Sequence, residues 1–279
     1  KQIGDFKESI SLNEHLRGTK RTLQYRPDGD EFVCVNGKNR YTRALYGSHS
    51  PFRVETSDRP VFAFYNNGRG GNISFKVILR DGTELALDCT GHCESRYSAG
   101  KRTYYLTDPS WGKGELRISV LALADMDGAI WRFSPSNMPK GAILRWQHGG
   151  ATGKRLSRNG DMGVDPADCF ELPVEATDLV TGELPLQKEV YLVRGEVPED
   201  YNVRKLYQQA EAASLALASH LKIETPDPYL NTLGGALVAA ADGIWDGQVW
   251  LHGAIGWRMP LSGWRAGYTG DALGWHDRA

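Results

Sequence analysis

Cysteine is scarce in this sequence, with four residues in 279. Small disulfide-stabilised domains carry far more cysteine for their length, so a disulfide scaffold is excluded. Cys89 and Cys93 flank Thr-Gly-His, and if those three residues form a hairpin turn, the two thiols can bridge in an oxidising compartment. A zinc site that uses His92 is the weaker alternative, because a single Cys-x3-Cys lacks a second ligand pair. We therefore predict no metal site.

An excess of charge of one sign is also missing, since 33 basic and 34 acidic side chains leave a formal net charge of −1. Nucleic-acid-binding proteins generally carry a basic face, so we expect no nucleic-acid partner. No apolar run approaches the ~20 residues of a transmembrane helix, and we expect no membrane span. The hydrophobic content of 41% is typical of a globular protein with a sizeable core.

Helical periodicity is absent between Arg21 and about Arg194, where short β-type runs alternate with turn residues. Proline presets φ and glycine tolerates positive φ, so three turn sequences predict hairpins: Pro27-Asp28-Gly29-Asp30, Asp81-Gly82-Thr83 and Met126-Asp127-Gly128. Residues 73–79 alternate apolar and other side chains, as in a sheet packed on one face, whereas 116–124 is apolar on both faces, as in a central strand. We expect a mainly β fold, with a large antiparallel β-sandwich over residues 1–198.

Large apolar side chains are nearly absent from Gly149 to Asp168, a stretch with five glycines. This composition predicts a long exposed loop. Its fragment from Gly150 to Lys154 is similar to part of a phosphate-binding loop, but the full Gly-x4-Gly-Lys-Ser/Thr spacing is missing and no helix follows. We therefore predict neither nucleotide binding nor another cofactor.

The period changes at Glu199. Apolar residues between Val203 and Leu221 fall on one helical stripe, with Asn202 as the predicted N-cap. This amphipathic helix occupies a linker over residues 199–227. A second helix is predicted to begin after Asp227 as cap and Pro228 as first helical residue. Residues 228–279 form the third predicted segment.

That last segment holds five of the eight tryptophans, which alternate with glycine and with polar groups. Flat rings beside fixed donors and acceptors suit a ligand with apolar faces and hydroxyl edges, such as a sugar. The alternative is a tryptophan-rich helical corner whose indole N–H groups bind the backbone. On the first interpretation the substrate-binding residues are Trp250, His252, Trp257, Arg258, Trp264, Arg265, Trp275 and His276.

The run WLHGAIGWR-x5-GWR-x5-GDALGWHDRA within this segment resembles the opening of the catalytic domain in large bacterial proteins that join a β-sandwich to a six-hairpin, (α/α)6 glycosidase-like barrel. The resemblance is specific over residues 231–279 and looser over 43–60. It implies a carbohydrate substrate and an N-terminal piece of a longer protein, in which 228–279 begins a truncated barrel. The remaining C-terminal part would then be the partner of this chain and carry the catalytic carboxylates. Such an enzyme is expected in the periplasm or outside the cell.

Three functions compete at this stage. The first is the N-terminal region of a glycoside hydrolase, for which we assign no catalytic residue in this chain, because helix caps and arginine partners explain the acids of the tail. The second is a carbohydrate-binding or assembly module without chemistry. The third is a sandwich epimerase of the mutarotase type, for which no Glu–His pair is evident. A polar cluster over residues 40–59 is predicted to be an arginine–carboxylate network at the domain interface rather than a site, with Arg53, Glu55, Asp58 and Arg59 neutralising one another.

Overall fold

A computed structural model of the protein describes residues 25–38, 41–66, 69–149, 179–253, 259–261 and 264–278. The described chain is mainly β, as predicted, with two antiparallel sheets of seven strands each. The strands, in chain order, are β1 (Arg26–Asp28), β2 (Glu31–Val35), β3 (Tyr41–Leu45), β4 (Arg53–Ser57), β5 (Phe62–Asn66), β6 (Arg69–Ile78), β7 (Glu84–Ala86), β8 (His92–Ser98), β9 (Lys101–Thr107), β10 (Glu115–Ala122), β11 (Gly128–Ser136), β12 (Ile143–Gly149), β13 (Val180–Pro185) and β14 (Val190–Gly195).

One sheet has the order β1-β2-β8-β9-β10-β11-β14, and the other has the order β13-β12-β6-β5-β4-β3 with β7 paired to β6. All three predicted hairpins are confirmed, because β1–β2, β6–β7 and β10–β11 are antiparallel neighbours joined by the predicted turns. Gly29 and Gly82 adopt φ of 60° and 87° in two of these turns, a region in which glycine carries no steric penalty.

The main core lies between the two sheets. Ile73, Phe75 and Val77 of β6 are at most 2% exposed and belong to it, which confirms the predicted alternation. Strand β10 is central, as predicted, with β9 and β11 as its neighbours. Its apolar residues serve two cores, since Ile118 packs between the sheets and Leu121 packs in a second cluster beneath a helix.

In the described part of the chain, three α-helices follow the sandwich: α1 (Val203–Ala218), α2 (Pro228–Gly243) and α3 (Trp264–Ala272). The side chain of Asn202 accepts a hydrogen bond from the backbone of Lys205, which confirms it as the N-cap of α1. Asp227 likewise accepts from the backbone of Tyr229 at the start of α2. Helix α1 packs on β10 through Leu206 and its neighbours, and α2 packs against α1 and β1.

Several features differ from the sequence expectations or lie outside them. Strands β3 and β13 were not expected as strands. Cys89 ends a short 3-10 helix instead of facing Cys93 across a hairpin, and both residues have free thiols. The glycine-rich stretch beyond Gly149 lies outside the described residues. No described helix is long and apolar enough to cross a membrane.

Candidate functional site

A cluster of tryptophans closes the C-terminal end of α2. Trp250 is 1% exposed and Trp275 is 8% exposed, and with Val238 they form a small separate core. Their rings stack with centroids 6.0 Å apart and planes 20° apart. The indole N–H of Trp250 donates to the backbone oxygen of Arg278 at 2.8 Å, and that of Trp275 donates to Nε2 of His220 at 3.0 Å. Each buried indole is therefore satisfied within the protein.

Arg278 holds this cluster together. Its guanidinium lies 4.4 Å from the ring centroid of Trp275 and 5.5 Å from that of Trp245, distances at which a cation and an aromatic face attract. The same guanidinium donates from Nη1 to Asp242 at 2.7 Å. The end of the chain is thus packed on α2 through one arginine that contacts two rings and a carboxylate.

These positions bear on the predicted sugar-binding wall. Trp250 and Trp275 do not present an open ring face, because each is covered by the other and by its neighbours, so in this structure they pack the tail. His252 and His276 are exposed, and Nδ1 of His276 lies 3.3 Å from Asp271. Of the other four predicted wall residues, Trp264 and Arg265 belong to α3, and Trp257 and Arg258 lie outside the described residues.

The segment between β3 and β4, residues 46–52, carries the polar contacts between the sandwich and α2. Arg53 at its end is completely buried and donates to the backbone oxygens of Ser50 at 2.8 Å and Gly243 at 2.7 Å. Its guanidinium also lies 4.6 Å from the ring centroid of Tyr46. A Cβ added to Gly243 would come within 2.6 Å of that ring, so glycine is required for this approach. Arg53 therefore ties the end of α2 to the sandwich.

For two of its four members, Asp58 and Arg59, the predicted arginine–carboxylate network is wrong in its partners. Arg59 donates to three backbone oxygens, those of Gly37, Asp88 and Thr90, each at 3.0 Å. Asp58 accepts a hydrogen bond from the hydroxyl of Tyr25. The arginines of this cluster mainly satisfy main-chain carbonyls, which need donors wherever strands end inside the fold.

A histidine–carboxylate pair joins the two parts of the chain. Nε2 of His49 lies 3.1 Å from Oδ1 of Asp242, the atom that also accepts from Arg278. The two side chains are 38% and 16% exposed. Burial disfavours the charged form of Asp242, but the hydrogen bonds from His49 and Arg278 outweigh this effect and hold the pKa of the carboxyl below its usual value. Asp242 is thus a carboxylate that orients the imidazole of His49.

A second polar cluster is buried inside the sandwich. Arg102 is 0% exposed and donates to Thr56 at 3.2 Å, to Ser95 at 3.0 Å and to the hydroxyl of Tyr25 at 3.3 Å. That hydroxyl in turn binds Asp58. The sequence did not predict this cluster. The alternation of a β-strand separates its side chains into two faces, but it does not show that the face with Arg102 points inward until the neighbours of β9 are known. The cluster neutralises the buried guanidinium of Arg102. These residues include no histidine, whereas an epimerase site of the mutarotase type would need a Glu–His pair.

Of the acids of the tail, Asp242 has an arginine partner, as predicted, whereas Asp246 and Asp271 have partners of other kinds than the predicted helix caps and arginines. Asp246 accepts from the backbone of Gln248 and Val249 at 2.9 and 2.7 Å, and Asp271 pairs with His276. Among the described residues, no group of three or more His, Cys, Asp or Glu side chains is arranged to hold a metal ion.

Residues 67–197 match the family model of a domain of unknown function, DUF4450. The described residues of the matched stretch lie in the sandwich, and the match stops before α1 begins at Val203. A search of curated proteins gives no match to the chain.

Proposed function

We propose that this chain is the N-terminal region of a carbohydrate-active enzyme of the glycoside hydrolase class. In this proposal the β-sandwich supports a helical catalytic domain, α2 and α3 belong to the start of that domain, and the catalytic carboxylates lie beyond this chain. The substrate is an oligo- or polysaccharide.

The observation that carries the proposal is the exposed apolar surface of helices α2 and α3. Helix α2 buries Ala236 against the sandwich and Val238 against the tryptophan cluster. On a third side, Leu230 and Leu237 are each 46% exposed, and Tyr268 of α3 is 65% exposed. A helix that is apolar on nearly all sides is typical of a protein interior. We therefore expect further helices to cover this side, as the second layer of a helical barrel would.

The polar junction supports the same interpretation. A linker helix, a buried arginine that caps the end of α2, and the His49–Asp242–Arg278 contacts fix the sandwich to the first helices in a defined position. Asp242, Asp246 and Asp271 each have a structural partner, which leaves Asp277 as the one remaining acid of the described tail. Hydrolysis of a glycosidic bond generally needs two carboxyl groups in acid and base roles, so we assign no such pair to this tail. The junction is thus suited to position a catalytic domain, with the chemistry supplied by that domain.

The test compares this chain with the complete polypeptide to which we assign it. Both proteins are incubated with a panel of aryl glycosides and polysaccharides, and released reducing sugar is quantified by chromatography. We expect turnover by the complete polypeptide and none by residues 1–279. Sugar binding without turnover by either protein would favour the carbohydrate-binding or assembly module, and hydrolysis by residues 1–279 that one carboxylate substitution abolishes would overturn the proposed division of labour.

A further inference from the structure

A cavity of about 260 Å³ lies at the junction between the sandwich, α1 and α2. Besides the larger side chains of Tyr46 and Leu217, its lining contains small apolar side chains contributed by all three parts, namely Ala122, Ala124, Ala210, Ala213 and Ala239. Larger residues at these positions would fill the space. The sequence therefore keeps a cavity open where two helices and a sheet meet.

Two carboxylates, one guanidinium and one imidazole lie at the same cavity. His49, Asp125, Asp242 and Arg278 line it. The carboxylate of Asp125 is exposed and makes no hydrogen bond or ion pair within the described chain, so its acceptor capacity is available. Arg278 uses only Nη1 toward Asp242 among the described hydrogen bonds, and a guanidinium carries five N–H donors in a fixed fork.

We propose that this cavity binds one pyranose ring of a neutral sugar. Arg278 and Asp242 pair with one another, which leaves the carboxylate of Asp125 as an acceptor and further N–H groups of Arg278 as donors. Hydroxyl groups both donate and accept, so they match these two kinds of partner. The alanine side chains present an apolar surface to the C–H face of a ring. The volume falls below the roughly 300–1,000 Å³ that encloses a drug-sized ligand, so one ring fits better than an extended chain. This inference rests on the proposed carbohydrate substrate and adds a binding position within the described residues.

The experiment measures binding of glucose, galactose, mannose and xylose to the 279-residue chain by saturation-transfer NMR, with the open-chain polyol sorbitol as a control ligand. Ala213 and Ala216 are both exposed residues of α1, but only Ala213 lines the cavity. Ala213→Phe therefore places a large ring at the cavity, and Ala216→Phe places the same ring on the same helix outside it. Asp125→Asn removes one charged acceptor at an exposed position, so it leaves the core intact. A matched control is Glu115→Gln, at an exposed position on β10.

We expect at least one pyranose to bind, with its dissociation constant raised about tenfold or more by Ala213→Phe and by Asp125→Asn, as expected for loss of a hydrogen bond to a charged group. Ala216→Phe and Glu115→Gln should bind like the unaltered chain. Absence of binding by all four pyranoses, or equal binding by Ala213→Phe and Ala216→Phe, would overturn the cavity assignment. If the complete polypeptide still hydrolyses glycosides in that case, the proposed function stands and only the cavity assignment fails.

Discussion

Replacement of Trp250 by alanine tests whether the tryptophan cluster fastens the tail to α2. The ring is 1% exposed and stacks on Trp275, and its N–H donates to the backbone of Arg278. Replacing a buried tryptophan with alanine costs about 3–5 kcal/mol, which includes the cavity left behind. Because every 1.4 kcal/mol is a factor of ten in an equilibrium constant, a loss of about 3 kcal/mol corresponds to a roughly 100-fold larger population of the locally open state.

Hydrogen exchange followed by mass spectrometry resolves where that loss occurs. We expect faster exchange in α2 and in residues 244–253 of the alanine variant, while the central strand β10 keeps its protection because it packs in a different core. Trp250→Phe retains most of the stacking and loses one hydrogen bond, so it should cost only about 1 kcal/mol. Unchanged exchange in α2 of Trp250→Ala would refute a packing role, and would return this ring to the predicted sugar-binding wall.

Three further predictions concern other parts of the structure. Arg53→Met should lower the urea midpoint of unfolding, because each main-chain oxygen that loses its buried donor costs about 1–3 kcal/mol, and an unchanged midpoint would contradict the tie between α2 and the sandwich. Because the pKa of Asp242 is lowered in the folded state, the folded protein binds fewer protons at this carboxyl than the unfolded protein does. The contribution of Asp242 to stability is therefore full above the ordinary aspartate pKa of about 3.9 and is lost as the pH falls further. Asp242→Asn should flatten this acidic part of the curve of stability against pH. Iodoacetamide at neutral pH should label the exposed Cys89 and spare the buried Cys34 and Cys93. Burial raises the pKa of both buried thiols, that of Cys93 to about 12, so neither forms much reactive thiolate. Labelling of Cys93 in the folded protein would contradict its buried position.

Local chemistry explains the elements that the sequence predicted well. An Asp-Gly turn sets a hairpin within a few residues, and Asn202 satisfies the start of its own helix, so neither depends on the rest of the chain. Strand β3 was not predicted because it begins with three residues that carry polar groups, Tyr41, Thr42 and Arg43. In the structure the guanidinium of Arg43 lies 5.4 Å from the ring centroid of Tyr97. A buried aromatic ring can stabilise the guanidinium of an arginine in a strand through a cation–π contact, but only the fold shows which ring lies next to it.

The candidate site was harder to predict than the fold, for the same reason. His49 and Asp242 are 193 positions apart, and no periodicity or spacing connects residues at that distance. The composition of the tail identified tryptophans beside hydrogen-bonding groups, but composition does not distinguish a ring that faces a ligand from one that faces Val238. The small side chains of the cavity come from three elements, so they form no pattern in the sequence.

The central claim is that the junction belongs to a sugar-processing enzyme whose helical domain continues over α2. The most direct test is a crystal structure of the complete polypeptide with a bound oligosaccharide. The account predicts one sugar ring in contact with Asp125, Arg278 or His49, and additional helices covering Leu230 and Leu237. A structure in which those two leucines remain exposed to solvent, or in which the oligosaccharide binds away from the junction, would contradict it.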